Sequence, residues 1–297
     1  MSFTKQFAQY PQAFGNQYTL MPSCDKPLNQ AHLKSLALSD HTELHQVQGD
    51  NKVAFCDILS ANTVDVGGDM GGNYRGVGNL MVMKITADRP NPDALPVYYL
   101  PWNIDQMFRI KLKPSPHHAQ KTPTWFYGAF GGETIVPNVF ITAAVQGCSV
   151  FVEGDPTCPV VYHVNAASAS QPGGTLDTND QMLFLATAQH KRQHMTTRMQ
   201  TAQREFPKTN SPHAVGAAHL MDYMPDRAPD DIAALTARYA HELATDNLEV
   251  SQFGTIFGMR ENDAWVFYRQ TRTLVDYRLA TGWITEFRNP VCQRFWP

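Results

Sequence analysis

The stretch 142–163 constrains the fold more than any other: Thr-Ala-Ala-Val-Gln-Gly-Cys-Ser-Val-Phe-Val-Glu-Gly-Asp-Pro-Thr-Cys-Pro-Val-Val-Tyr-His. Two apolar, β-branched runs, 149–152 and 160–164, flank the turn-forming Gly154-Asp155-Pro156. That pattern predicts a β-hairpin. Folding the chain back about Asp155 sets Cys148 opposite His163, directly or one position off in register. Cross-strand neighbours hold their Cβ atoms about 4.5–5.5 Å apart. A thiol and an imidazole so placed form a candidate nucleophile–base pair, and the hairpin is the candidate active site.

A chain of 297 residues has room for one large or two small domains. With 43% hydrophobic and 17% charged residues it suits a packed protein rather than a disordered one. The net charge of −3 gives no reason to expect a nucleic-acid partner. The cluster Lys191-Arg192, with Arg198 and Arg204 nearby, reads as a solvated helix face. Apolar runs such as 139–145 are too short to span a membrane. The N-terminus lacks the apolar core of a secretory signal, which predicts a chain that stays in the cytoplasm or leaves without a cleavable signal. The five cysteines (Cys24, Cys56, Cys148, Cys158 and Cys292) are odd in number and widely spread, so reduced thiols are expected.

Residues 1–50, rich in Gln, Asn and Pro, read as an N-terminal extension packed on the core, with a helix-like segment near 28–38. Residues 51–297 read as a single catalytic domain of α+β class. Strand patterns fall at 52–59, 79–85, 95–102, 107–112, 125–130 and 136–145, and later at 253–257, 264–268, 273–278 and 283–287. Helical spacing marks 180–203 and, more clearly, 230–243, where Asp230 and Asp231 suit a helix N-terminus. The glycine-dense 67–78 lacks the Gly-Lys-Ser/Thr ending of a phosphate loop and reads as a flexible connection.

Three details strengthen Cys148 as a nucleophile. Gly147 before it lets the backbone turn, so that N–H groups of Gly147 and Cys148 can bind an oxyanion. Gln146 can donate nearby, and Thr142 can orient the imidazole through its hydroxyl or carbonyl. Cys158 is the competing thiol, five positions before His163; beside Pro159 and without a flanking glycine, it favours a structural role. His190 and His194 share a helix face, but the Lys-Arg-Gln between them lacks the glutamate of a zinc hydrolase motif. His117-His118 sits in a loop, and His213, His219 and His241 form no interpretable constellation. No metal or organic cofactor is expected.

Leu100-Pro-Trp102, then Thr142 six positions before Cys148, then Gly147-Cys148-x-Val-Phe151 and Tyr162-His163-Val-Asn-Ala166, resemble the Burkholderia lethal factor family. That family carries Leu-Pro-Trp, Thr, Ser-Gly-Cys-x-Val-Phe and Trp-His-Ile-Asp-Ala in this order. The resemblance spans roughly residues 95–270 and is dense over 139–166. It implies a glutamine deamidase of the cytotoxic necrotizing factor superfamily: a β-sandwich core of mixed sheets with peripheral helices. The implied catalytic residues are Thr142, Cys148 and His163, with no cofactor. The implied partner is a host protein, the translation-initiation RNA helicase (initiation factor 4A), whose glutamine becomes glutamate so that protein synthesis stops. By the same resemblance the chain is a monomeric toxin, made in a bacterial cytoplasm and active in host cytosol. This sequence departs from the pattern at Gln146, where the family has Ser, and in a longer hairpin. Residues 1–90 have no counterpart. Because substrate choice resides in surrounding loops, other readings stay open: deamidation or transglutamination of a Rho-family GTPase, or a binding protein that keeps the fold without activity.

Overall fold

In the computed structural model, residues 1–24, 36–38, 41–46, 53–61, 79–102, 106–115, 129–130, 133–134, 136–145, 148–165, 190, 193–200, 215–218, 229–245, 247–279 and 282–297 are described. Two short helices, α1 (Phe3–Gln9) and α2 (Pro11–Gln17), lead into β1 (Thr19–Cys24). Then come β2 (Leu36–Leu38), β3 (His41–Gln46), β4 (Val53–Ser60), β5 (Leu80–Thr86), β6 (Leu95–Leu100) and β7 (Met107–Lys111). A two-strand pair, β8 (Ala129–Phe130) with β9 (Glu133–Thr134), precedes β10 (Val139–Thr142), β11 (Ser149–Glu153) and β12 (Val160–Val164). A helical stretch covers 193–200, followed by β13 (Gly216–Ala218) and α3 (Pro229–Leu243). Three long strands finish the chain: β14 (Leu248–Glu261), β15 (Ala264–Leu279) and β16 (Gly282–Trp296).

The dominant sheet has eight strands in the order β1-β5-β4-β6-β10-β14-β15-β16. It is mixed: β1–β5 and β6–β10 run parallel, and the other neighbours run antiparallel. Its two edges curl towards each other, and β1 lies within contact of β14, β15 and β16. The architecture is therefore α+β, a nearly closed mixed sheet with a few peripheral helices. A second sheet, β13-β11-β12-β7-β3-β2, packs on it. Tyr98, Phe140, Ile256, Trp265, Phe267 and Trp296 of the first sheet share one apolar cluster with Phe108, Ile110, Val150, Val152, Val161 and Ala218 of the second. Strand periodicity explains the pattern, because alternate residues of β10, β11 and β12 turn into this shared core. Among the described residues no helix is long and apolar enough to cross a membrane, which says nothing of a β-barrel.

Some sequence expectations need correcting. The four short C-terminal strands expected are three long ones, because 264–268 and 273–278 are one strand, β15, with a bulge between Thr271 and Thr273. The polar run Arg269-Gln-Thr-Arg272 imitates a loop in sequence, yet Gln270, Thr271 and Arg272 are buried. Residues 36–38, the end of the helix expected near 28–38, form strand β2, and 28–35 lie outside the described residues. The turn at Asn262-Asp263 holds both residues at positive φ, 48° and 68°, as a two-residue hairpin demands.

Residues 1–24 are fastened to the sheet by a buried amide. Gln270 on β15 accepts from the Leu20 N–H at 2.8 Å, and its Nε2 donates to the carbonyls of Tyr18, at 2.7 Å, and Gly15. Beside it, Phe7 of α1 packs edge-on against Phe257 of β14 with ring centroids 5.2 Å apart. Arg272, buried between the Phe253 and Phe287 rings, donates to Thr255 Oγ1, which in turn donates to the Leu20 carbonyl. Desolvation lowers the Arg272 guanidinium to about 9, still charged at neutral pH. A Gln270→Leu substitution strands a buried N–H and two carbonyls. It is expected to cost about 2–4 kcal/mol, read as a lower urea midpoint with unchanged slope.

Candidate active site

Five residues separate Thr142 from Cys148, and in that span the chain crosses from one sheet to the other. Thr142 ends β10 in the large sheet, and Cys148 immediately precedes β11 in the second. Between them Val145 is bridged to Gly254 of β14 by a reciprocal pair of 2.9 Å backbone hydrogen bonds. Gln146 and Gly147 lie outside the described residues, and with them the backbone expected at Gly147 for an oxyanion.

The hairpin exists with a shifted register. β11 and β12 pair as Ser149↔Val164 and Val150↔His163, so His163 faces Val150. Extending the ladder by one pair sets Cys148 opposite Asn165, diagonal to His163. The shift has its cause in the turn. Asp155 Oδ1 accepts from the Thr157 N–H at 2.8 Å and the Thr157 hydroxyl at 2.9 Å, and the Asp155 carbonyl accepts from the Cys158 N–H at 2.9 Å. This side-chain-capped turn, entered through Gly154 at φ 96°, moves the fold-back point past Pro156. Residues at alternate positions share a face, so His163 and Asn165 on one strand and Cys148 on the other all point into the shared core. A diagonal pair of this kind remains within side-chain reach.

Thr142 approaches the same place from the opposite sheet. Its Oγ1 lies 2.6 Å from His163 Nδ1 and donates to the Leu100 carbonyl at 3.0 Å. A hydroxyl has one proton. With that proton given to Leu100, Nδ1 of His163 must donate to Oγ1, which leaves Nε2 with its lone pair free. Nε2 is buried and, among the described residues, has no hydrogen-bond partner, the Cys148 thiol included. Burial pushes the imidazole down to about 3, so the ring is neutral at physiological pH. The arrangement is an oriented neutral base rather than an imidazolium waiting beside a thiolate.

The sulfur has a partner that sequence reasoning passed over. Asn165 Nδ2 donates to Cys148 Sγ at 3.1 Å. The signal was present in the period-two spacing of His163 and Asn165, which puts both on the inner face once the strand is accepted. Cys148 is 2% exposed, and Thr142 and His163 are fully buried. Cys158, the competing thiol, is half-buried in the turn. Five strand residues from His163 amount to about 16 Å, at the opposite end of β12.

The remaining histidines do not join this site. His190 stacks on His194 of the helical stretch over 193–200, with ring planes 2° apart and centroids 6.5 Å apart. Among the described residues no group of three or more His, Cys, Asp or Glu is placed to hold a metal. His241 is exposed in the last turn of α3, and His117, His118, His213 and His219 lie outside the described residues.

Two measurements test the geometry. The imidazole of an unfolded chain takes a proton below about pH 6.5 while the folded one stays neutral down to about 3, so the folded state loses stability as pH falls through that window. Wild type should lose about 1 kcal/mol per pH unit more than His163→Gln there, measured by urea unfolding. Imidazole nitrogen shifts should report the Nδ1–H tautomer in wild type, and Thr142→Val, which keeps shape and removes the hydroxyl, should abolish that preference.

No protein-family model matches the chain, and no curated protein matches it. What the structure shows is the contact of Thr142 with His163 and the placement of Cys148 on the same inner face of the sheet.

Proposed function

We propose that the chain is a cysteine-dependent protein glutamine deamidase, with a β-sandwich of the cytotoxic necrotizing factor type. The observation that carries the reading is the 2.6 Å contact between Thr142 and His163 across the two sheets, which orients a neutral imidazole on the face that Cys148 shares. Thiol, base and orienting hydroxyl stand in the order of the resembling family, and the order alone does not require them to meet.

His163 Nε2 takes the Cys148 proton as the sulfur attacks the carboxamide carbon of a glutamine. The C=O electron pair moves onto oxygen, giving a tetrahedral oxyanion. The imidazolium then protonates the departing nitrogen, and ammonia leaves a thioester. Neutral again, His163 draws a proton from water, which hydrolyses the thioester to glutamate and restores the thiol. Thr142 keeps Nε2 as the acting nitrogen throughout. The imidazolium forms only while it is paired with negative charge on sulfur or oxygen, which offsets the desolvation that otherwise suppresses it. Because Cys148 and His163 are buried, a glutamine reaches them only when the chain above them moves aside.

The substrate that the resemblance favours is the translation-initiation RNA helicase of a host cell; a Rho-family GTPase is the other target. Incubating wild type and Cys148→Ser with eukaryotic lysate, then mapping peptides by mass spectrometry, separates these. Wild type should convert specific glutamines to glutamate, Cys148→Ser should convert none, and Cys158→Ser should match wild type. Equal conversion by wild type and Cys148→Ser would falsify the nucleophile assignment. Thr142→Val should lower kcat by about 100-fold or more with KM little changed, as expected when a base loses its orienting partner.

A further inference from the structure

We propose that Asn165 is a further catalytic residue: its side-chain amide supports the negative charge that develops on Cys148, and Arg198 holds it in place. The inference rests on Cys148 being the nucleophile of the reaction above. Asn165 is the residue next after β12, and its backbone is used at both ends. Its N–H donates to the Gln106 carbonyl at 3.0 Å, and its own carbonyl accepts from Arg198 Nη1 at 2.8 Å. With the backbone held, the side chain is directed across the ladder to Cys148 Sγ, 3.1 Å away.

Arg198 is a positioning residue, because it acts through the Asn165 carbonyl that it holds. It comes from the helical stretch over 193–200, which is docked on the outer face of β12. Met195 and Met199 are buried there against Phe151, Val160, Tyr162 and Val164. The i, i+3, i+4 spacing of Met195, Arg198 and Met199 sets the guanidinium on the docked face. One helix thereby fixes the strand end from outside while Asn165 serves the site from inside.

In this chain the chemistry gains from such a donor. Proton transfer from Sγ to His163 leaves a full charge on a sulfur that is 2% exposed, where water offers little solvation. A neutral carboxamide supplies an N–H without burying a second charge, and its bond to sulfur strengthens as the thiol becomes a thiolate. When the sulfur attacks, the charge moves to an oxygen two bonds away, and the same N–H lies within reach of it. A purely architectural Asn165, closing the end of the sheet, would change stability without changing the titration of Cys148.

The test reads the thiolate directly and needs no substrate. The ultraviolet absorbance of the thiolate is followed against pH in wild type, Asn165→Leu, Asn165→Asp and Arg198→Met, each with its Cys148→Ser counterpart subtracted. Unfolding midpoints are measured alongside. The Cys148 titration should rise by about 1–2 pH units in Asn165→Leu, the loss of one hydrogen bond to a charged group. It should rise further in Asn165→Asp, whose carboxylate repels the thiolate, and by less in Arg198→Met. Titration of folded Asn165→Leu or Asn165→Asp together with wild type overturns the proposal. So does a wild type whose Cys148 forms no thiolate before it unfolds. A shifted titration without glutamine deamidation in lysate overturns the proposed function alone, and deamidation without the shift overturns Asn165 alone.

Discussion

A polar contact between two sheets, placed inside an otherwise apolar core, is the constraint on which the site depends. Thr142 and His163 meet among Leu100, Phe108, Phe140, Val150 and Val161, where an unpaired polar group would cost several kcal/mol. The pair is therefore obliged to find partners, and the partners fix its chemistry. The Leu100 carbonyl takes the hydroxyl proton, the hydroxyl takes Nδ1–H, and Nε2 is left as the one ring nitrogen that can act. Packing of the two sheets and orientation of the base are the same event.

In the proposed reaction, burial decides how the nucleophile is activated. An exposed cysteine–histidine pair can rest as thiolate and imidazolium, each stabilising the other. Here the imidazole is pushed down to about 3 by desolvation, so the resting ring is neutral. Charge must be created and supported within the reaction, and support by oriented neutral dipoles is worth most where water is excluded. Asn165, whose amide touches the sulfur, and Thr142, whose oxygen faces Nδ1, are dipoles of this kind. The same burial leaves ordinary alkylation a poor probe of the thiol, because slow labelling would reflect access as much as reactivity.

The parts of the fold that were legible in the sequence are those where one local signal suffices. Alternating or continuous β-branched residues marked β4, β5, β6, β7, β10, β11 and β12, and Asp230-Asp231 marked the start of α3. The paired helices α1 and α2 were not legible, because Gln, Asn and Pro dominate their composition. Their apolar anchors are only Phe3, Phe7 and Phe14, which make edge-on ring contacts with one another. The sequence pattern divides β15 in two because its middle is polar, and Gln270 and Arg272 are there to hold the returning N-terminal strand. That role belongs to residues some 250 positions away, and no window of sequence contains it.

The hairpin register shows what a local reading can and cannot reach. Counting residues back from a Gly-Asp-Pro turn put Cys148 beside His163, and a turn capped by the Asp155 side chain moved the pairing by two residues. A shift of one would have turned every side chain of one strand to the other face and separated thiol from imidazole. A shift of two preserves the face, makes the thiol and imidazole diagonal rather than directly opposed, and brings Asn165 opposite the sulfur. Pairing with β7, which runs from Val160↔Lys111 to Val164↔Met107, holds His163 independently of the turn. The length of the hairpin loop is thus free to vary without disturbing the site, provided that it varies by residues that leave the parity of Cys148 intact.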